Sequence, residues 1–112
     1  MFTNAAAAIA ARMHKHTVQP LQRGEKRTGT EGGVYYDPPS PNGEPLRCNV
    51  QPYSAELARQ DYGLEVKVSK RLYALPDARL QVNALLEWQG KTYRITALPD
   101  SRGMTVALLE VE

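Results

Sequence analysis

Hydrophobic and polar positions along this 112-residue chain fall into short runs that alternate at period two, the pattern of strands with one face buried. The clearest set closes the sequence. Leu85 to Gln89 is one run, the chain tightens at Gly90-Lys91, and Thr92 to Leu98 is the next. A Pro-Asp-Ser-Arg-Gly break leads to a third run, Met104 to Val111. β-Branched and aromatic residues set between Gly and Pro predict an antiparallel meander. In its middle run Tyr93, Ile95 and Ala97 are expected to share the core face, with Lys91, Arg94 and Thr96 toward water. In the last run both alternating sets are apolar. That strand is expected to be covered twice, by the core and by something else.

Upstream, Thr3 to Met13 reads as a short Ala-rich helix capped by Thr3 or Asn4. Its methyl groups bury little, so it needs a surface, either its own domain or a neighbouring subunit. His14 to Gln22 is the first predicted strand, with Pro20 marking an edge or bulge. Residues 24–33 form a charged, Gly-rich loop before a returning strand, Val34-Tyr35-Tyr36. Residues 37–45 hold four of the eight prolines and predict a second long loop. Leu46 to Tyr53 is a strand with Leu46, Cys48 and Val50 on one face. Ser54 to Gly63 is a helix of about two turns, with Ser54 as N-cap, Leu57 and Ala58 as its apolar stripe, and Gly63 just past its end. Leu64 to Ala74 returns to strand alternation, and Ala78 to Ala84 leads into the meander.

These elements predict a mainly β fold: a small antiparallel β-barrel or sandwich of about six strands, with a short helix between strands and an N-terminal Ala-rich helix. The division is an N-terminal helical extension at 1–14 and a single β-barrel domain at 15–112.

Composition narrows the chemistry. A net charge of +2 is too small to imply nucleic-acid binding by itself. Its distribution is uneven: residues 1–30 carry Arg12, Lys15, Arg23, Lys26 and Arg27 against Glu25 alone, a net of +4. Such a front suits an acidic surface or a phosphate backbone. The lone Cys48 cannot form an intrachain disulfide, fits a reducing compartment, and reads as a small buried hydrophobe. No apolar run is long enough to cross a bilayer and the N-terminus makes a poor signal peptide, so a soluble protein made inside the cell is expected. His14 and His16 sit two apart, but two ligands are not a metal site. The Gly24–Gly33 loop lacks the phosphate-loop pattern. With no paired base and nucleophile, no metal-ligand set and no cofactor motif, an enzyme is not expected. Catalytic, cofactor and metal residues are therefore all set at none.

The order of elements resembles the head-tail connector proteins of tailed bacteriophages, above all the stopper or head-closure group, also described as head-tail joining or minor capsid proteins. The similarity spans roughly Lys15 to Glu112. It rests on Ser54 to Gly63, on Lys70-Arg71-Leu72, and on Trp88-Gln89-Gly90-Lys91-Thr92-Tyr93-Arg94-Ile95. The predominance of strands favours a stopper over a mostly helical adaptor. The Ala-rich segment is not covered.

The resemblance implies a structural protein of the virion neck, made in the bacterial host cytoplasm. It would assemble with itself as a ring of six or twelve copies, between a portal or adaptor protein and a tail terminator or tail tube protein, and close the channel on packaged DNA. Lys26 and Arg27 in the Gly24–Gly33 loop are then candidate DNA contacts in the lumen. Arg71, Tyr62, Trp88 and Tyr93 are candidate inter-subunit or docking residues. The helix at 54–63 would plug a barrel end, and Trp88 and Tyr93 would meet across the Gly90 turn. A small-barrel nucleic-acid-binding module is the alternative, with Tyr35, Tyr36 and Tyr73 as stacking candidates.

Overall fold

The computed structural model describes residues 15–100 and 103–112. The Ala-rich segment, His14 and the proposed 1–14 extension lie outside the described residues. In chain order the strands are β1 (His16–Gln22), β2 (Lys26–Thr28), β3 (Val34–Tyr36), β4 (Ser40–Pro41) and β5 (Leu46–Pro52). After helix α1 (Ala55–Tyr62) come β6 (Lys70–Ala74), β7 (Leu85–Trp88), β8 (Lys91–Asp100) and β9 (Thr105–Val111).

Six strands close into an antiparallel barrel in the order β1-β5-β6-β9-β8-β7 and back to β1. β1 makes the closure by dividing its length. His16–Val18 pair with β5 on one side, Gln19–Leu21 pair with β7 on the other, and the short β4 takes over beside Leu21 and Gln22. Pro20 is buried within this strand, not at an edge. It falls between the β5 and β4 ladders, where its carbonyl accepts from the Asn42 N–H at 2.8 Å. Strand geometry aims its ring nitrogen into the same gap, so the ladder misses no donor.

The barrel interior is filled by Val18, Cys48, Val50, Leu72, Ala74, Leu86, Tyr93, Ile95, Ala107 and Leu109, with Leu80 added from the β6–β7 connection. A second cluster of Tyr53, Ala58 and Leu108 lies on the other side of β9, flanked by Tyr62, Leu64, Val66, Val68 and Ala97. β9 is thus covered on both faces, as its pattern predicts. Helix α1 and the segment at 64–68 supply the second cover from within the chain.

Helix α1 starts and stops by local chemistry. The Ser54 hydroxyl accepts from the Leu57 N–H at 3.2 Å. At the far end Gly63 adopts a left-handed φ of 68°, which lets its N–H fold back to the Arg59 carbonyl at 2.9 Å. The expected Leu57–Ala58 stripe is only half realised. Ala58 is buried against β9, but Leu57 is 42% exposed. The helix lies along the outer wall of the barrel and does not plug an end, because the residues it meets, Leu108 above all, point away from the interior.

Two boundaries depart from the expected pattern. Residues 64–68 form no strand, so β6 covers only Lys70–Ala74. Their alternation holds all the same: Leu64, Val66 and Val68 are half-buried while Glu65 and Lys67 are exposed. Side chains hold this segment without a ladder. β8 runs on through Pro99 to Asp100, past the expected break. It manages this with two register shifts against β9, between Ile95 and Ala97 and again between Ala97 and Asp100. The extra residue at Thr96 turns Ala97 away from Tyr93 and Ile95 and over to Leu108 in the outer cluster. The Thr96 hydroxyl donates to the Leu108 carbonyl at 3.2 Å, which helps satisfy the bulge.

Candidate functional site

The returning strand expected at Val34-Tyr35-Tyr36 is present and makes a hairpin with Lys26–Thr28, so that three residues of the loop at 24–33 are strand. β2 and β3 pair with each other and with no barrel strand, matching Lys26 to Tyr36, Arg27 to Tyr35 and Thr28 to Val34. The glycines concentrate at its tip, where the Gly29 N–H donates to the Gly33 carbonyl at 2.6 Å. All six paired residues are exposed, and Val34, Tyr35 and Tyr36 stand at 56, 52 and 64%. Scattered single hydrophobics need no explanation, but this ribbon carries uncovered apolar groups on both faces, Val34 and Tyr36 on one and Tyr35 on the other.

At its foot the two legs of the ribbon are fixed to each other. At Gly24 the backbone passes so close to Asp37 that a β-carbon would sit 1.8 Å from the Asp37 carbonyl oxygen, which explains glycine there. The Asp37 N–H donates to the Glu25 carbonyl at 2.9 Å. The Arg27 Nε donates to both Asp37 carboxylate oxygens at 2.9 and 3.1 Å, and its guanidinium lies 3.5 Å from Glu25. Arg27 is therefore neutralised within the ribbon. Of the two candidate DNA contacts, Lys26 alone presents a cation without an ion pair among the described residues.

Beside this foot a groove of about 960 Å³ opens between ribbon and barrel. Its floor and walls include Tyr36, Pro38, Pro39, Leu85 and Val111, with Arg23, Asp37, Lys91 and Glu112 among the charged groups around it.

On the outer wall Arg71 gathers a second set of residues. Its guanidinium stacks 4.2 Å from the Tyr53 ring and 5.0 Å from the Tyr73 ring. It donates to the Tyr62 hydroxyl at 3.3 Å and to the Gln51 side-chain carbonyl at 3.2 Å, and lies 3.6 Å from Asp61. The Tyr53 hydroxyl donates to Asp61 at 2.5 Å. Burial, and then this hydrogen bond, push the Tyr53 pKa up to about 12. Arg71 thus ties helix α1 to β5 and β6. The carboxylate that it meets, Asp61, comes from its own chain.

Trp88 and Tyr93 do meet, as diagonal neighbours across the hairpin with ring centroids 6.3 Å apart. The turn between them is Gln89-Gly90, both with positive φ (51° and 76°), as a two-residue hairpin of this twist requires. Tyr93 is only 3% exposed and faces the barrel interior, so it has little surface to offer a partner. Trp88 is half-buried, between the His16 ring at 5.5 Å, Tyr93 and the Lys70 ammonium at 5.7 Å. The His16 Nδ1 accepts from the Val50 N–H at 3.0 Å, and among the described residues no three His, Cys, Asp or Glu converge as metal ligands. Cys48 is buried, and burial raises its thiol pKa to about 12.

One organising residue gave no signal in the sequence. Arg79 donates to both Asp77 carboxylate oxygens at 2.9 Å and, through Nη1, to the Asn42 and Glu44 carbonyls at 2.6 Å. It pins the Pro-rich loop to the β6–β7 connection, a contact between stretches more than thirty positions apart. No family model matches the chain, and no curated protein matches it.

Proposed function

We propose that this chain is a structural protein of a phage neck: a stopper-type subunit that forms a ring between portal or adaptor and tail, closes the DNA channel and docks the tail. The element order that carries the resemblance supports this reading. So does one feature of the surface, the projecting β2–β3 ribbon, whose three consecutive apolar residues are covered by nothing among the described residues. An uncovered apolar ribbon on an otherwise closed barrel is the kind of surface that assembly buries. The doubly covered β9 does not count toward assembly, because the chain satisfies both of its faces itself.

The second reading, a nucleic-acid module, draws on Lys26 standing directly across from the exposed Tyr36, a cation beside a stacking surface. One experiment separates the two. The mass of the purified protein is measured alone and after mixing with portal-bearing, DNA-filled capsids. The neck reading expects a monomer alone and ordered rings on capsids. A monomer that ignores capsids and binds free DNA with steep salt dependence sinks it and promotes the module.

A further inference from the structure

We propose that the β2–β3 ribbon of one copy seats in the groove at the ribbon foot of the next copy, a head-to-tail contact. The inference rests on the ring-forming reading and supplies its interface.

The ribbon needs a partner surface. It has three cross-strand pairs and no buried residue, and a two-stranded ribbon of this kind is marginal in water. Its own groove does not serve. The ribbon springs from the rim of that groove: Gly24 and Asp37, whose close approach holds its two legs together, are themselves lining residues. The occupant must come from another molecule.

A second copy fits by shape class and by charge. Val34 and Tyr35 stand exposed on opposite faces of the ribbon, so a groove that takes the ribbon in covers both, and this one offers Val111, Pro38 and Pro39. Glu31 near the ribbon tip has no ion pair among the described residues, and neither does Lys91 at the groove. Arg23, also at the groove, is engaged among the described residues only by the Asn83 carbonyl at 2.7 Å, so it too keeps charge for a carboxylate. Lys26 on the ribbon has its counterpart in Glu112, held only loosely by Arg94 at 3.7 Å. Each surface thus carries the charges the other lacks. Ribbon and groove are different patches, so the contact is heterologous, and repetition about an axis generates a closed ring.

The test uses full-length chains. Tyr35→Cys and Val111→Cys variants are prepared separately, mixed, and mildly oxidised, both at high concentration and on portal-bearing, DNA-filled capsids. The buried Cys48 stays in place. A disulfide that joins one variant to the other, and forms in neither variant alone, is expected. Lys91→Glu in the Val111→Cys chain lowers its yield about two- to five-fold, and Glu31→Lys in the Tyr35→Cys chain restores it. Rescue by charge reversal is an outcome that a misfolded variant cannot give. Rings on capsids without the mixed disulfide overturn the inference and leave the neck reading standing. A disulfide of Tyr35→Cys with itself alone shows ribbon-to-ribbon pairing and overturns it too, as does the absence of any cross-link under both conditions. A mixed disulfide in solution with no recruitment to capsids sustains the interface and counts against the neck.

Discussion

Leu108 and Leu109 are adjacent on β9, both fully buried, and belong to different clusters. Truncating each to alanine should therefore cost different amounts for the same chemistry. Both variants lose the transfer term, about 2.4 kcal/mol at roughly 0.8 kcal/mol per methylene. What differs is the cavity. A void of ~80 Å³ that stays open adds about 2 kcal/mol. Leu109 points into the barrel, where hydrogen-bonded strands wall the site and cannot close on it. Leu109→Ala should cost about 4–4.5 kcal/mol. Leu108 lies under helix α1 and the ladder-free segment at 64–68, a cover held by side chains that can settle inward. Leu108→Ala should cost about 2.5–3 kcal/mol. Urea unfolding at neutral pH, followed by circular dichroism and the fluorescence of the single tryptophan, reads the gap directly. With m near 1–2 kcal/mol/M the two midpoints should stand roughly 1 M apart. Equal midpoints, or the lower one for Leu108→Ala, would refute the idea that the outer layer is the softer of the two.

Three further outcomes follow from local geometry. Hydrogen bonds from Arg79 hold the Asp77 pKa below the usual carboxylate value, against the opposing effect of burial. That stabilisation is present above the unfolded pKa of about 3.9 and is lost as pH falls through the folded value. Asp77→Asn should thus cost about 1–2 kcal/mol at pH 7, and urea curves should converge with wild type once the pH lies below the folded value; a gap that persists in acid would count against the ion pair as its cause. Gly24→Ala forces the ribbon foot off the Asp37 carbonyl. Amide exchange at Asp37 should accelerate while barrel amides stay protected, and unchanged protection there would contradict the close approach. Cys48, with its thiol pKa near 12, should react with a thiol reagent at pH 8 at least ~100-fold more slowly in the native protein than in urea; comparable rates would show that it is not sealed in the barrel.

The barrel was legible because its evidence is local. Period-two runs mark β1 and β5, turn and break residues set off β7, β8 and β9, and the capping residues Ser54 and Gly63 bracket α1 by bonds that span four residues or fewer. What escaped is set by pairing at a distance. The register shift at Thr96 depends on β9, so the phase of Ala97 could not be read from β8 alone. Leu64–Val68 alternates like a strand because one side is buried, yet burial does not require a ladder partner. The candidate site divided along the same line. Trp88 and Tyr93 meet across a turn that the sequence marks, whereas the Arg71 cluster and the Arg79 clamp are assembled by strand order. The basic ribbon was visible as charge, but the pairing of Arg27 with Asp37, ten positions on, was not.

Barrel closure has a consequence for how copies of this chain can meet by main-chain pairing. Among the described residues each of the six wall strands has a neighbour on either side for at least part of its length, so the wall offers no long free row of amides and carbonyls for another chain to extend. β4 adds only two residues, one of them Pro41. The β2–β3 ribbon is different: both of its outer edges are open. Any strand addition is thereby confined to the same few residues that carry Val34, Tyr35 and Tyr36. Ordered assembly and unwanted aggregation compete for one short template, and burial of that ribbon protects the protein as well as joining it.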